Sequence, residues 1–409
     1  MNLHENKKLF TDAVLAASEY LDIRPVYIEK DYWITRSLKL MVQNSNAEKA
    51  IFKGGTSLSK AHKIGNRFSE DIDIAISDAD TLTGNQLKML IKKIAKEMTS
   101  GLEEVVVPGV TSKGSRYYKA MYSYPNVLGK AIKETVNIGQ LLVEINSFAN
   151  PYPYVSKSID CFIAQFFHQI GNDALVEEYG LQSFILNVLD KRQTLTEKLV
   201  SLIRFSLSDN YTYDVAAKIR HFYDLHYLLQ DTECDEYLQS EQFKTDFKTL
   251  LAHDRETFDK PEGWNTMEIE QSPLLSDFSN LWSNLKDTYL KELPAIAFSE
   301  IPSVDAVAKS FEEIKKHISE IKGVKDVHHI HIWSMDGQNH YATMHIITNK
   351  EASQIKQLVR DELAEHGIGH VTLELEGEDD DSLLITRVIS ADGRSSSKIN
   401  GCNVWGYSR

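Results

Sequence analysis

The sequence predicts an α+β protein built from three units, and the order of apolar patterns along the chain carries that prediction. Residues 50 to 76 have the order strand, glycine turn, helix and strand. From residue 158 to 292 the apolar spacing is mostly helical, and residues 303 to 376 follow the order helix, strand, strand, helix, strand. We therefore predict a mixed α/β domain over 1–155, a helical domain over 156–300 and a small two-layer domain over 303–376.

The first domain is predicted to open with two helices, because apolar residues recur at helical spacing over 5–20 and 25–42. The run "KAIFKGG" predicts a short strand that stops at a glycine pair. The segment "SEDIDIAI" alternates with a period of two, which is typical of a half-buried strand. A helix at 85–98 and strands near 115–124 and 139–148 complete the domain.

The third unit begins with "VDAVAKSFEEIKKHISEI", which has helical spacing. The strands "VHHIHIWSM" and "YATMHIIT", the helix "ASQIKQLVRDELAEHG" and the strand "HVTLELE" follow. This αββαβ order suits a small domain with one layer of helices on one sheet. The remaining 377–409 segment is too short to bury a core of its own, so we expect a poorly ordered or fragmentary tail.

Composition and charge exclude several classes of protein. A net charge of −14 argues against wholesale coating of nucleic acid, which needs an excess of Lys and Arg. Cys161, Cys234 and Cys402 are too few and too scattered for a disulfide framework or a zinc knuckle, which suits a reducing cytosol. The polar amino terminus is not a signal peptide, and no segment approaches the roughly 20 apolar residues that span a bilayer. We therefore expect a cytoplasmic protein without a membrane passage.

Two carboxylates on one strand predict a metal site. Side chains at i and i+2 of a strand share a face, so Asp71 and Asp73 point the same way. Bare carboxylates this close repel each other, whereas Mg²⁺, or Mn²⁺ in its place, binds such oxygens and bridges them to substrate phosphates. Glu144 in "LLVEINS" offers a third carboxylate from a neighbouring strand.

The glycine pair before the helix predicts a phosphate site. Gly54 and Gly55 have no side chains to keep a ligand from the backbone, and free N–H groups at a helix start favour phosphate. Hydroxyl groups and positive charges that could add to this site follow in the sequence at Thr56, Ser57, Ser59, Lys60 and Arg67. The alternative is that the glycines form only a turn and that the two aspartates line a solvated strand face.

The segment "FKGGTSLSKAHKIGNRFSEDIDIAI" resembles the signature of the AbiEii/AbiGii toxin family, in the polymerase-β-like nucleotidyltransferase superfamily. The resemblance runs from about residue 25 to 230. It includes "IEKDYWITRSL", "LLVEINS", "NVLDKRQTLTEKLVSL" and "IRHFYDLHYLL", in the family order. It implies a polymerase-β-like fold, with a mixed sheet and a helical domain that completes the active site.

The resemblance also implies roles for individual residues. Phosphate contact falls to Gly54, Gly55 and Ser57, and metal binding to Asp71 and Asp73, with Glu144 as the third acid. In the helical half, Lys198 would meet the triphosphate. Asp224, with Arg220 and His221, would orient the nucleotide or the lysine. The alternative for Lys198 and Asp224 is an ion pair on a helix surface.

The resemblance implies a Mg²⁺-dependent toxin of a toxin–antitoxin or phage-defence system that transfers NMP from an NTP to RNA, at the 3′ end of tRNA. Its partners would be NTP, RNA and a cognate antitoxin protein. A lysine stripe at Lys88, Lys92 and Lys96 and the segment "KGSRYYKAMYSY" could contact RNA, or could be solvated surface. Two alternatives are nucleotidylation of a small molecule or protein hydroxyl, and a catalytically idle scaffold that dimerises or senses metal.

The third unit is similar to the cytoplasmic domain of cation diffusion facilitator transporters over residues 305–376, which implies a ferredoxin-like fold and a homodimer through 303–376. His329, His331 and His345 lie on strands predicted to pair, so they are either a Zn²⁺ site or incidental to dimerisation. Residues 383–404 resemble a fragment of an SMC-like DNA-repair ATPase. The sequence has no G-x-x-x-x-G-K-[ST] motif upstream of them, so ATPase function does not follow.

Overall fold

In a computed structural model the chain forms two compact units, Met1–His317 and Ile318–Arg409. The structure describes residues 2–44, 46–69, 71–128, 139–319, 326–334, 340–347, 356, 360, 370–376, 388–389 and 395–396.

The helices of the described residues are α1 (Lys7–Leu21), α2 (Pro25–Val42), α3 (Gly54–Ser57), α4 (Gly84–Met98), α5 (Phe162–Gln169), α6 (Asp173–Glu178), α7 (Lys191–Ser206), α8 (Tyr211–Ala216), α9 (Ile219–Leu229), α10 (Thr232–Leu238), α11 (Glu241–Thr257), α12 (Pro273–Ser276), α13 (Phe278–Ile296) and α14 (Val304–Ser319). Helix α3 continues directly into a π-helical turn over Leu58–His62. Short 3-10 turns lie at Leu3–Glu5, Ala47–Lys49, Ala79–Thr81, Trp264–Thr266 and Ile269–Gln271.

The strands of the first unit are β1 (Ala50–Lys53), β2 (Asp71–Ile76), β3 (Glu103–Val105), β4 (Ser112–Lys113), β5 (Tyr117–Ser123), β6 (Gln140–Asn146), β7 (Tyr154–Ile159) and β8 (Phe184–Leu189). They form one mixed sheet in the order β3-β5-β6-β2-β1-β8-β7, and β4 pairs with β5. Strands β2 and β6 run parallel, as do β1 and β8, whereas β1 and β2 are antiparallel. This confirms the predicted mixed α/β fold.

One face of the sheet is covered by helices and carries the main apolar core. Alternate residues of the two central strands, such as Ile72 and Ile74 of β2 and Val143 and Ile145 of β6, belong to a cluster with buried residues of α1, α2, α4 and α5. Because successive strand residues point to opposite faces, Asp71 and Asp73 are left on the other face. The apolar alternation therefore decides which face holds the polar side chains.

The second half of this unit is helical, as the spacing predicts, but it also supplies two strands. Strand β8 adds to the edge of the sheet beside β1, and β7 pairs with β8 in antiparallel register. Helices α7, α9, α11 and α13 pack against one another after β8. The chain thus passes from the sheet into helix α7 with only Asp190 between them, and this junction fixes the start of α7 next to β1.

Helix α14 packs on the first unit up to His317, while the domain boundary at 303 stays a prediction. Phe311 of α14 packs on Phe278, with ring centroids 4.6 Å apart, and on Phe222 at 5.0 Å. The hydroxyl of Ser310 lies 2.8 Å from Nδ1 of His226. The first compact unit accordingly extends to His317.

The strands of the second unit are β9 (Asp326–Ser334), β10 (His340–Ile347) and β11 (His370–Glu376), in the order β11-β10-β9. Strand β10 is antiparallel to β9 and parallel to β11, as the predicted order of elements requires. A further strand pair joins β12 (Val388–Ile389) and β13 (Ser395–Ser396). Most of the predicted second helix lies outside the described residues.

A buried ion pair ties the opening helices to the segment that follows the glycine turn. The ammonium of Lys60 lies 2.5 Å from Oδ1 of Asp31 on α2, and both side chains are nearly inaccessible to water. The other oxygen of Asp31 accepts a hydrogen bond of 2.8 Å from the backbone N–H of Phe162 at the start of α5. One carboxylate therefore fixes three segments that are distant in sequence.

Replacing Asp31 by Ala should lower the free energy of unfolding by about 3–5 kcal/mol, because it leaves the buried ammonium of Lys60 without a counter-charge. The matched control is Lys244→Ala. It removes an exposed ion pair with Glu241 and should cost less than about 1 kcal/mol. Urea unfolding of the full chain measures both, and equal losses would contradict a buried role for the pair.

Candidate active site

Four charged side chains form a row across the middle of the sheet. The strand register aligns Lys53 of β1 with Asp73 of β2, Asp73 with Glu144 of β6, and Glu144 with Lys119 of β5. Residues aligned in this way lie side by side on the same face. Asp71 lies on that face as well, two residues before Asp73. The two predicted acids and the third therefore meet on the face opposite the apolar core.

The carboxylates strongly influence one another. Burial and the negative charges of Glu144 and Asp71 raise the pKa of Asp73 to about 7, while Lys53 and Lys119 oppose the rise. Glu144 is held by an ion pair of 3.1 Å with Lys119. This concentration of negative charge is partly neutralised by lysines, and it is chemically suited to a divalent cation.

The glycine turn lies directly against Asp73. Gly54 has a φ of +77°, a left-handed conformation that residues with a side chain rarely adopt, and a Cβ built on it would overlap the Asp73 carboxylate. A Cβ on Gly55 would come within 2.6 Å of the Arg67 guanidinium. The hydroxyl of Ser57 is buried and donates a 2.8 Å hydrogen bond to the carbonyl of Gly54. A ligand bound at the turn would therefore also be next to the carboxylates.

Asp224 joins the glycine segment to the helical half through two cations. Its carboxylate accepts two hydrogen bonds of 2.7 Å from the guanidinium of Arg67, and one of its oxygens lies 2.7 Å from the ammonium of Lys198 on α7. Burial disfavours ionisation of Asp224, but the two cations outweigh it and hold the pKa of Asp224 well below its usual range. All three side chains are buried, so this is not a pair on a helix surface.

His221 lies one helical turn before Asp224 and interacts electrostatically with Lys198, Asp224 and Arg67. Burial and the neighbouring charge of Lys198 lower the pKa of His221 well below its usual value, so the ring is neutral near pH 7. Its Nδ1 is buried and has no hydrogen-bond partner among the described residues. Arg220, also expected here, is partly exposed, and Asp224 pairs with Arg67 and Lys198 instead.

A cleft of about 560 Å³ opens on this face between the sheet and the helical half. Lys53, Glu144, Glu197 and Arg204 line it, and Lys53 forms an ion pair of 2.8 Å with Glu197 of α7. Aromatic, polar and aliphatic residues complete the lining, namely Tyr117, Asn146, Phe148, Ala149, Asn150, Leu250, Asp254, Thr257 and Phe258. Its volume is within the range of small-molecule sites, and a nucleotide is a ligand of that size.

Three residues predicted to contact nucleotide have other partners. The hydroxyl of Thr56 donates to the backbone carbonyl of Asp71 at 2.5 Å and so joins the turn to β2. Lys60 points to Asp31, and Arg67 holds Asp224. All three side chains are buried. We therefore correct their expected role from ligand contact to positioning of the turn and its neighbours.

Four charged residues near the site were not predicted from the sequence, namely Lys53, Glu197, Arg204 and Lys218. Lys218 is a partly buried cation close enough to Glu144, Lys119 and Lys198 to interact electrostatically with them. Lys53 could have been found from sequence, since it is the last strand residue before the glycine pair. Glu197 and Arg204 lie on the helical half, and only the packing of that half on the sheet brings them to the cleft.

The donor set suits a hard cation, although the metal geometry is not preformed. Asp71 and Asp73 offer carboxylate oxygens on one face, beside a turn open to phosphate, as Mg²⁺ requires. No three His, Cys, Asp or Glu side chains are already clustered around a metal position in the part of the chain that the structure describes. The third carboxylate, Glu144, forms its ion pair with Lys119.

The second predicted metal cluster lies largely outside the described residues. The backbone of β9 and β10 is described and aligns His331 with Thr343 and His345 with His328. The side chains of His329, His331 and His345 are outside the described part, so the zinc site stays a prediction.

Comparison with known proteins gives the following matches. The model of the family described as nucleotidyl transferase AbiEii toxin, type IV TA system, matches residues 36–314, which is more than half of the chain. The model of the cation efflux protein cytoplasmic domain matches residues 307–378. The solved structure of MenT4, a nucleotidyltransferase toxin from Mycobacterium tuberculosis H37Rv, is similar with 15% identity and a TM-score of 0.41, over 76% of this chain and 99% of that one. None of the curated proteins matches.

Replacing Gly54 by Ala should lower the free energy of unfolding by about 1–3 kcal/mol, because the new Cβ is strained at positive φ and overlaps Asp73. Gly84→Ala is the control, since a Cβ there has no neighbour within 4 Å among the described residues. Thermal and urea unfolding of both variants provide the measurement. A neutral Gly54→Ala variant would show that the turn does not approach the carboxylate.

Replacing Asp224 by Asn should cost about 3–5 kcal/mol of stability at pH 7, because Arg67 and Lys198 would then be buried without their counter-charge. The folded pKa is lower than the unfolded value of about 3.9, so the contribution of Asp224 is complete above that value and is lost as the pH falls through the folded pKa. The difference from wild type should be constant from pH 5 to 8 and shrink below about pH 4.

Urea unfolding at pH 3.5, 5 and 7 measures this dependence. Asp209→Asn, at an exposed position, is the control and should change stability by less than about 0.5 kcal/mol at each pH. A difference for Asp224→Asn that grows as the pH falls would contradict an ionised, paired Asp224.

Proposed function

The chain belongs to the AbiEii nucleotidyl transferase toxin family of type IV toxin–antitoxin systems, and from this we propose that it transfers NMP from an NTP to a hydroxyl at the 3′ end of RNA, with tRNA as the acceptor. Pyrophosphate is the second product. The family match confirms the AbiEii resemblance found in the sequence, and the match over 307–378 confirms the resemblance to the cation efflux domain.

The observation that carries the proposal is the contact between the glycine turn and Asp73. Gly54 lies so close to the Asp73 carboxylate that a methyl group would not fit between them. Phosphate groups held by the turn would consequently lie beside Asp71 and Asp73, and the cleft beyond Glu144 has room for a nucleoside. If the glycines formed only a turn and the aspartates only a solvated strand face, this close contact between Gly54 and Asp73 would serve no purpose.

The proposed reaction is a displacement at the α-phosphorus of the NTP. The acceptor hydroxyl oxygen forms a bond to the α-phosphorus, and the bond from that phosphorus to the oxygen bridging it to the β-phosphate breaks. The hydroxyl proton passes to the carboxylate of Glu144, which lines the cleft, and pyrophosphate takes the electron pair of the broken bond. Atoms and charge balance without a further reactant.

The chain's own groups bind and orient the triphosphate. The backbone of Gly54 and Gly55 forms the phosphate turn, the hydroxyl of Ser57 braces it by donating to the Gly54 carbonyl, and Lys198 and Lys53 supply positive charge. Asp71, Asp73 and Glu144 would hold Mg²⁺, or Mn²⁺. When bound, this cation supplies positive charge next to the reacting phosphate and the leaving pyrophosphate.

A second cleft of about 640 Å³ adjoins the first, and we propose it as the route of the acceptor. The two clefts share Phe148, Ala149, Asn150 and Thr257, and Arg116 lines the second. An acceptor end could enter along it toward Glu144. The lysine stripe at Lys88, Lys92 and Lys96 is exposed on α4, which covers the opposite face of the sheet, so it does not serve the same opening.

The biological setting follows from the family. We place the activity in the cytoplasm, in a toxin–antitoxin or phage-defence system, with a cognate antitoxin protein as the partner. The described residues contain no helix that could cross a bilayer. We further propose a homodimer through residues 303–376, with Zn²⁺ at the three histidines as the alternative use of that unit.

Replacing Asp73 by Asn should reduce transfer of labelled NMP from NTP to total RNA by about 100-fold or more, because it removes a carboxylate from the reacting end of the cleft. The same reactions report pyrophosphate release. Asp12→Asn, exposed on α1, is the matched control and should retain full activity. Undiminished labelling by Asp73→Asn would reject the proposed site.

The same assay separates the alternative functions. Label in a small molecule or in protein, with none in RNA, would favour the second acceptor class. If neither the wild type nor the Asp73→Asn variant released pyrophosphate, a catalytically idle scaffold would be favoured.

A further inference from the structure

The cleft has a charged end and an aromatic end. Lys53, Glu144 and Glu197 form the charged end beside the glycine turn. Phe148 follows β6 and Phe258 follows α11, and both rings are half-buried in the lining of the same cleft. The aromatic end thus combines one residue from the sheet with one from the helical half.

The two phenylalanine rings form a corner. Their centroids are 5.6 Å apart with an interplanar angle of 88°, and Tyr117 continues the aromatic surface at 5.8 Å from Phe148. An edge-to-face pair leaves ring surface free on each partner. Such a surface suits a flat, conjugated ligand better than a phosphate or a sugar.

Arg204 supplies hydrogen-bond donors at this corner. Its guanidinium lies 4.2 Å from the centroid of Phe258, and its side chain is only 15% exposed. The carboxylate of Asp254 is 3.8 Å away, beyond hydrogen-bond distance, and Nε has no partner among the described residues. One guanidinium donor is thus without a partner among the described residues, and a guanidinium at this corner is suited to the carbonyl or ring-nitrogen acceptors of a nucleobase.

We propose that Phe148, Phe258 and Arg204, here called the base corner, bind the nucleobase of the donor NTP. The inference rests on the proposed function, since that places the triphosphate at the glycine turn. With phosphates at the charged end of one cleft, the base of the same molecule extends toward the other end. The base packs against the aromatic rings of the corner, and Arg204 donates to its acceptor edge.

The test measures nucleotide binding in the absence of RNA. Each of the four NTPs, as its Mg²⁺ complex, is titrated calorimetrically into the full chain, and the tightest one is carried forward. Phe258→Ala should weaken its binding about 10-fold to 100-fold, the range measured for loss of base–aromatic stacking. Phe258→Trp should restore the affinity to within about 3-fold, because it keeps an aromatic face.

Two controls separate base binding from phosphate binding and from misfolding. Magnesium tripolyphosphate lacks a base and should bind Phe258→Ala and wild type equally. Tyr213→Ala removes an aromatic ring that is 71% exposed on α8, outside the cleft, and should leave NTP affinity unchanged.

Equal NTP affinity in wild type and Phe258→Ala would overturn the inference. So would a variant that binds NTP normally but has a raised KM for RNA, since the corner would then hold a base of the acceptor. Failure of wild type to bind any NTP would instead reject the proposed function, so the two failures are distinguishable.

Discussion

A single buried carboxylate, Asp224, connects the two halves of the first unit, and the arrangement of the cleft depends on it. It holds Arg67 of the segment between β1 and β2 and Lys198 of α7 at 2.7 Å each. The backbone of Arg67 also pairs with that of Ala297, just after α13. The guanidinium of Arg67 lies where a Cβ on Gly55 would be. A network of one anion and two cations thus sets how the helical half meets the glycine turn.

The position of the helical half determines the composition of the cleft. Helix α7 brings Glu197 to Lys53 and Arg204 to the aromatic end, seven residues apart on nearly the same helix face. The sheet supplies the carboxylates, because alternation of apolar and polar residues in β2 and β6 leaves Asp71, Asp73 and Glu144 on the face away from the core. Both halves therefore contribute to the lining of the cleft.

Much of the sheet and its carboxylates could be predicted from sequence, since a period of two assigns each strand residue to a face. Strand β8 was missed because a short apolar run beside helical patterns cannot be distinguished from helix by periodicity. The partners of buried cations were missed for another reason. Lys60 joins a residue 29 positions away and Arg67 one 157 positions away, so only the folded chain shows that these side chains serve positioning. Arg204 gave no local signal at all.

The central claim is that the glycine turn and the paired aspartates bind one ligand together. A crystal structure of the full chain with Mg²⁺ and a non-hydrolysable NTP analogue tests it most directly. The account predicts a metal ion about 2.1 Å from oxygens of Asp71 and Asp73, with the phosphates against Gly54 and Gly55. A nucleotide bound elsewhere, or bound at the turn without metal at these aspartates, would contradict it.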